Sequence, residues 1–394
     1  MAIVDFVGAW LFKFARRVKS APTIKPEIVR RILLIQLDHL GDAVISTSLL
    51  PALRRRFSHA SVDVLAAPWN WEVFATSRFV QRIFISKHNR FRRGLTWLWP
   101  LGLAYWAIRL RRERYDLAVD IRGEFVHAML MKFAGVPIRV GWNCAGGDFL
   151  LTHSPAFEPG QAEVLSRRAL LTELGARPTS DDVPAIAPRP DDEAFIGHML
   201  GDARSTDRPL LVMHVGAGTV AKSWPVEHWR ELLGRVIVEL NARVVLVGGE
   251  ADRKIAAEIT ENMFWPGVMD WTGRLAVAQL AALTQRASLF LGADSGPAHV
   301  AAAAGARVIS LFSGTNSAAQ WRPWGDHVTV LSHAVPCSPC YAGRCRYADH
   351  ACMRQLSPQQ VIDAVDAALH GTSILTGPHF LKFEVPQNKK GRSP

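Results

Sequence analysis

The chain reads as an α/β protein of two Rossmann-like domains, each a parallel sheet wound with helices. Short apolar runs alternate with segments of helical period, which is the arrangement of parallel β/α units. The alternation occurs twice, and a stretch rich in Pro, Asp and Arg, residues 176–208, lies between the two series and reads partly as a linker. A length of 394 residues, 49% of them hydrophobic and 21% charged, leaves room for two separate cores.

The first series opens with the apolar run at residues 31–37, which reads as a strand. It ends in the turn Asp38-His39-Leu40-Gly41-Asp42, and helical periodicity follows over residues 43–57. Further strands are expected at 62–67, 82–85, 117–121 and 138–141, and the first half closes near Gly175. In an open parallel sheet, ligands bind in the crevice beyond the carboxyl ends of the strands, and a glycine there lets the backbone turn closely. Asp42 is therefore the first catalytic candidate. The alternative is a helix N-cap, because an Asp at a helix start accepts backbone N–H groups.

The second series starts with a strand at 210–215, followed by Gly216-Ala217-Gly218. It continues with 243–247 and Gly248-Gly249-Glu250, then 289–292 and Ala293-Asp294-Ser295-Gly296, then 308–312. Glycine or a small polar residue at strand ends lets backbone N–H groups and helix N-termini face phosphate oxygens. Two such halves facing one cleft suit an enzyme with two substrates. Lys222, on the glycine-rich loop just before a helix, is placed to neutralise a diphosphate, with Trp224 and Pro225 holding the loop; its alternative is a solvated surface lysine. Ser295 and Gly296 open a helix of small residues that contains His299, and are expected to donate to phosphate. Asp294 cannot attract phosphate, so it reads as ordering this loop or capping the helix. Glu250 reads either as an acceptor for ribose hydroxyls or as a solvated helix-start glutamate.

Lys and Arg number 46 against 35 Asp and Glu, a net charge of +11. That charge attracts nucleic acid, anionic headgroups or phosphorylated small molecules without choosing among them. No nucleic-acid recognition motif accompanies it, and the strand-end glycines point to a small anionic ligand. Near the N-terminus Phe6, Val7, Trp10, Leu11 and Phe14 fall at helical spacing, with Lys13, Arg16, Arg17 and Lys19 at the far end. This is the composition of an interfacial helix, or of a helix packed on the protein's own surface. Basic residues after apolar ones reverse the order of a secretory signal, and no run reaches the roughly 18 apolar residues of a membrane span.

The basic run 87–93, with Arg90, Arg92 and Arg93, could grip acceptor phosphates or be a solvated loop. Cys337, Cys340, Cys345 and Cys352 supply enough sulfur for a structural zinc site, but only the first pair has CxxC spacing, so reduced thiols are the competing reading. Cysteines clustered in this way do not form the framework of a small secreted domain, and a cytoplasmic chain is expected.

Together these motifs resemble glycosyltransferase family 9, the ADP-heptose:lipopolysaccharide heptosyltransferases, over residues 31–370. The matches are Leu40-Gly41-Asp42, Lys222-Ser223-Trp224-Pro225, Asp294-Ser295-Gly296 with His299, and Pro336-Cys337-Ser338-Pro339-Cys340-Tyr341. The resemblance implies a GT-B fold, two Rossmann-like domains with parallel sheets facing an interdomain cleft. On that pattern residues 1–30 are a basic amphipathic extension, 31–190 the acceptor domain, 191–370 the nucleotide-sugar domain and 371–394 a tail.

The implied reaction is inverting transfer of heptose from ADP-heptose to a lipopolysaccharide (lipid A-core) acceptor, with no cofactor required because fixed donors replace a metal. Asp42 would take the proton from the acceptor hydroxyl. Lys222, Ser295 and Gly296 would stabilise the leaving diphosphate, Glu250 would hold the ribose, and Asp294 and His299 would belong to the same donor site. The implied location is the cytoplasmic face of the inner membrane, as a peripheral protein without a nucleic-acid partner. The chain departs from the pattern at Ser313-Gly314-Thr315-Asn316, where many members have Gly-Pro-Thr/Ser, and in its N-terminal extension. The first departure leaves open a relative that uses another nucleotide sugar for a different surface glycan. A nucleotide-sugar-binding protein without catalysis is the further alternative.

Overall fold

Residues Arg31–Gln36 form β1, whose Ile32 to Ile35 are fully buried because a central parallel strand is covered by helices on both faces. The computed structural model describes residues 23–87, 99–142, 144, 147–201, 207–262, 265–371 and 380–381. The aromatic and basic segment before residue 23, Arg90, Arg92 and Arg93, and most of the C-terminal tail lie outside the described residues. Two compact units divide the chain, one ending at Pro184 and the other beginning at Ala185.

In the first unit β1 leads to α1 (Leu40–Ser46), α2 (Leu49–Arg56), β2 (Ser61–Ala66), α3 (Trp71–Ala75), β3 (Arg82–Ile85) and α4 (Trp99–Glu113). β4 (Leu117–Asp120), α5 (Phe125–Phe133), β5 (Ile138–Gly141) and α6 (Glu163–Glu173) complete it. The sheet runs β3-β2-β1-β4-β5 and is parallel throughout. Its order reverses between β1 and β4, so the carboxyl ends of those strands border the crevice where such sheets bind ligands.

The expected helix over 43–57 is two helices. Pro51 has no N–H to offer the carbonyl of Thr47 and crowds it. The hydroxyls of Thr47 and Ser48 turn back onto the carbonyls of Val44 and Ile45, at 2.7 Å each.

The second unit contains α7 (Pro190–Leu200), β6 (Leu210–His214), α8 (Val226–Val238), β7 (Arg243–Val247), α9 (Arg253–Thr260), β8 (Val268–Asp270) and α10 (Val277–Arg286). β9 (Leu289–Ala293), α11 (Gly296–Ala303), β10 (Val308–Phe312), α12 (Ala318–Trp321), β11 (Val328–Ser332), α13 (Ala351–Arg354), α14 (Pro358–His370) and β12 (Phe380–Leu381) follow. Its sheet runs β12-β11-β10-β9-β6-β7-β8, with only β12 antiparallel to its neighbour. Here the order reverses between β6 and β9. Three of these strands, β8, β11 and β12, were not expected; β8 and β11 are only partly buried, which leaves a weaker apolar signal, and β12 is a two-residue edge strand.

The stretch expected as linker contains α7, which starts with Pro190 in the first turn and packs on α10. The indole N–H of Trp224 donates to the Leu356 carbonyl at 2.8 Å, and its ring meets Trp229 edge-on at 4.9 Å. Trp224 therefore ties the loop after β6 to the core, as the sequence suggests.

One buried carboxylate of the first sheet sits in the middle of a strand. Asp63 on β2 is fully buried, accepting from the Tyr115 hydroxyl at 2.7 Å and from Arg82 at 2.6 Å. Asp63→Ala leaves both donors without that acceptor, and chemical denaturation is expected to show a loss of about 3 kcal/mol of stability.

Candidate active site

Asp38 follows β1, and Asp42 lies one turn later inside α1. The N-cap position of that helix is His39, not Asp42. The Asp42 carboxylate instead accepts from Arg167 on α6, Nη2 to Oδ1 at 2.9 Å, with the two side chains 12% and 5% exposed. Arg167 also donates from Nη1 to the Ser46 hydroxyl at 3.1 Å. That hydroxyl donates to the Asp42 carbonyl at 2.6 Å and accepts from Gln36 at 3.0 Å. Glu163, one turn before Arg167, reaches the same guanidinium at 3.5 Å.

Asp38 pairs with Arg122, which follows β4. The loop carrying Arg122 is organised by buried Asp120, which accepts from the amides of Arg122 at 3.1 Å and Glu124 at 2.8 Å and meets His127 Nδ1 at 2.8 Å. The Asp38 carbonyl accepts from Trp69 and Asn70, both at 2.8 Å.

Asp42 thus sits among two carboxylates and two guanidinium groups. Burial raises its pKa most, Asp38 adds to the rise, Arg167 opposes it, and the balance lies at about 7. A carboxylate poised there changes protonation near neutrality, which is what a general base requires. Asp38, Arg122, Glu163 and Arg167 were not singled out from sequence. Glu163 and Arg167, four apart on a helix, look like an ordinary surface pair until the tertiary fold buries them.

In the second unit Lys222 ends a short 3-10 turn, Val220–Lys222, and its ammonium meets Asp294 Oδ2 at 2.6 Å. Asn316 donates to the same oxygen at 3.1 Å. Asp294 therefore orders the loops after β6, β9 and β10; it is not the helix cap, because Ser295 holds the N-cap position of α11. Gly296 is the first residue of that helix, and His299 is buried within it.

The Ser295 hydroxyl lies 3.1 Å from His214 Nδ1 and 3.0 Å from the Ala293 carbonyl. His214 Nε2 lies 3.5 Å from Asp252. The Asp252 carboxylate fills the space above Gly216 and Gly248, where any Cβ would collide with it, and accepts from the Gly249 amide at 2.8 Å. Burial pushes the Asp252 carboxyl up, but the bond from His214, its charge and the Gly249 amide together bring it below the ordinary value. His214 and Asp252 are thus a second pair that motif reading missed. Glu250 projects into solvent, 76% exposed, and pairs with Arg253 at 2.7 Å.

The zinc reading of Cys337, Cys340, Cys345 and Cys352 is not supported. Among the described residues no group of three or more His, Cys, Asp or Glu is placed to hold a metal ion, and these four thiols are free. Cys352 is buried in the core beside Met353 and Leu356; burial pushes its thiol pKa up most, and Cys345, Cys337 and Cys340 lie near enough to add to the rise. The departing turn at residues 313–316 is tied to the cysteine loop, since the Gly314 carbonyl accepts from the Cys340 amide at 2.9 Å.

The family model for glycosyltransferase family 9 (heptosyltransferase) matches residues 106–350. Lipopolysaccharide heptosyltransferase 2 of Escherichia coli is 26% identical over 361 residues, covering 86% of this chain and 98% of the relative. Lipopolysaccharide heptosyltransferase 1 of Pseudomonas aeruginosa is likewise 26% identical, with the same coverage of each chain. Among solved structures, ADP-heptose lps heptosyltransferase II of E. coli superposes with a TM-score of 0.71 at 23% identity, covering 86% of this chain and 99% of that one.

The opposed charges around Asp42 give a two-sided expectation. Arg167→Met removes an opposing cation and is expected to raise the Asp42 pKa by about 1 unit or more, while Glu163→Gln lowers it. Carbon-13 titration of the labelled aspartate carboxyls reads both shifts; shifts of one sign in the two variants would rule out this electrostatic balance.

Proposed function

Since the chain belongs to glycosyltransferase family 9, the heptosyltransferases, we propose that it transfers heptose, with inversion, from ADP-heptose to a lipopolysaccharide inner-core acceptor. The observation that carries the catalytic reading is Asp42, a carboxylate beyond a sheet switch point whose surroundings keep its proton affinity near neutral pH.

In this reading the first unit takes the acceptor. The ionised Asp42 accepts the proton of the attacking hydroxyl as that oxygen bonds to the anomeric carbon, and the nucleoside diphosphate departs with the electrons of the broken bond. Arg167 keeps the carboxylate oriented through Oδ1. The second unit takes the donor. Lys222, at 18% exposure, exchanges part of its pairing with Asp294 for the diphosphate, and the backbone at Ser295 and Gly296 offers N–H groups at the start of α11. The Asp252–His214 pair holds the Ser295 hydroxyl toward the same loop. Glu250, solvent-facing, is available to ribose hydroxyls, and Asp294 and His299 support the loop and helix. Fixed donors of this kind stabilise a developing diphosphate without reorganising at the moment of reaction.

No helix among the described residues is long and apolar enough to cross a membrane. A lipid-linked acceptor and a net charge of +11 fit a peripheral protein on the cytoplasmic face of the inner membrane. A second reading, another nucleotide sugar used for a different surface glycan, is favoured by the turn at residues 313–316, whose Asn316 bonds Asp294 in the donor loop.

Mass spectrometry of a heptose-deficient lipopolysaccharide incubated with ADP-heptose tests the proposal. A heptose increment is expected, and Asp42→Asn should reduce its rate by about 100-fold or more. An increment from another donor alone would select the second reading. Because the ionised carboxylate is the active form, the rate should fall about tenfold per unit as the pH drops below about 7, and level off above it. Lys222→Ala should weaken ADP-heptose binding by about 10- to 100-fold in calorimetry, the range of one charge-assisted contact. Unchanged affinity would remove Lys222 from the donor site.

A further inference from the structure

Helix α4 lies on the first unit with an unusual distribution of side chains. Leu103, Trp106, Ala107 and Leu110 face inward and are buried, as an amphipathic helix requires. The outward face is also apolar. Leu101, Tyr105 and Ile108 are 68%, 53% and 58% exposed. Their spacing of four and three residues sets them in one stripe, and Arg112 continues it after four more. Arg109 and Arg111 flank the stripe on its two sides and, like Arg112 and Arg114, are exposed. Arg109 is steadied over the Phe84 ring at 5.3 Å. The acidic residue in this stretch, Glu113, is turned to Arg31 and Arg82, at 2.7 and 2.8 Å, so it does not offset the outer cations.

A surface helix that is apolar on both sides has a second medium to meet. We propose that the outer face of α4 is the lipid-contacting surface of this protein: Leu101, Tyr105 and Ile108 enter the headgroup boundary of an anionic bilayer, and the surrounding arginines bind its phosphates. The proposal rests on the peripheral-membrane reading above and gives it a location.

The shape and charge favour a bilayer over another protein. The stripe is a convex ridge on a helix about 22 Å long, whereas a stable protein interface buries about 800 Å² on each partner. A second copy docked on the same ridge would bring arginines toward arginines, which disfavours association. A planar anionic surface accepts both features together, apolar side chains at its centre and guanidinium groups beside them at phosphate level.

Co-sedimentation of the full chain with vesicles tests this, using phosphatidylglycerol with phosphatidylethanolamine against phosphatidylcholine alone. The wild type is expected to partition onto the anionic vesicles. The triple variant L101S/Y105S/I108S and, separately, R111E/R112E are expected to lose more than tenfold of that partitioning. Both should keep the wild-type circular dichroism and the wild-type rate on a water-soluble acceptor fragment. Undiminished binding by both variants would overturn the α4 assignment while leaving the membrane reading intact. A wild type that binds neither vesicle overturns both. A wild-type dimer that the triple variant converts to monomer overturns the lipid assignment in favour of a second copy.

Discussion

A parallel strand covered by helices on both faces leaves charged side chains little room except at its ends, and this constraint organises both units. β4, β6 and β9 are buried along their lengths and β1 from its second residue on, and the candidate groups gather where they stop. Asp38 and Asp42 follow β1, Arg122 follows β4, His214 ends β6, and Asp294 and Ser295 follow β9. The exception supports the rule: Asp63, inside a strand, is held by a tyrosine hydroxyl and arginines that neutralise it.

The same burial that places Asp42 also makes its ionised form expensive for the fold. Its folded pKa of about 7 lies above its ordinary value of 3.8. Between those values the folded chain binds more protons at this site than the unfolded chain, so this group's contribution to stability falls as pH rises through that window. Arg167 limits the loss, and its own burial is compensated by Asp42, Glu163 and Ser46. Lys222 and Asp294 stand in a comparable relation, each neutralising the other.

Much of the scaffold was legible in order along the chain. Nine strands match apolar runs to within about a residue at each end, and the central ones are the clearest because a doubly buried strand has to be apolar over its whole length. β8 and β11 are only partly buried and β12 is two residues long, so all three were silent, although the short edge strands β3 and β5 were still legible. Asp42, Lys222, Asp294 and Ser295 were legible because each adjoins a strand end and a turn. Pro51 was visible in the sequence, yet the helical period across 43–57 obscured the break it causes.

The sequence by itself determined two parallel-sheet units, the strand ends that carry the candidate groups, and the resemblance that names the family. Periodicity and turn chemistry are local, and residues near one another in the chain report them. Only the tertiary structure decided that Arg167, more than a hundred residues downstream, is the partner of Asp42, and that Asp252 rather than Glu250 lies over the glycine turns. Electrostatic partnership depends on distance in space and on exclusion of water, and a chain acquires both only when its sheets and helices pack.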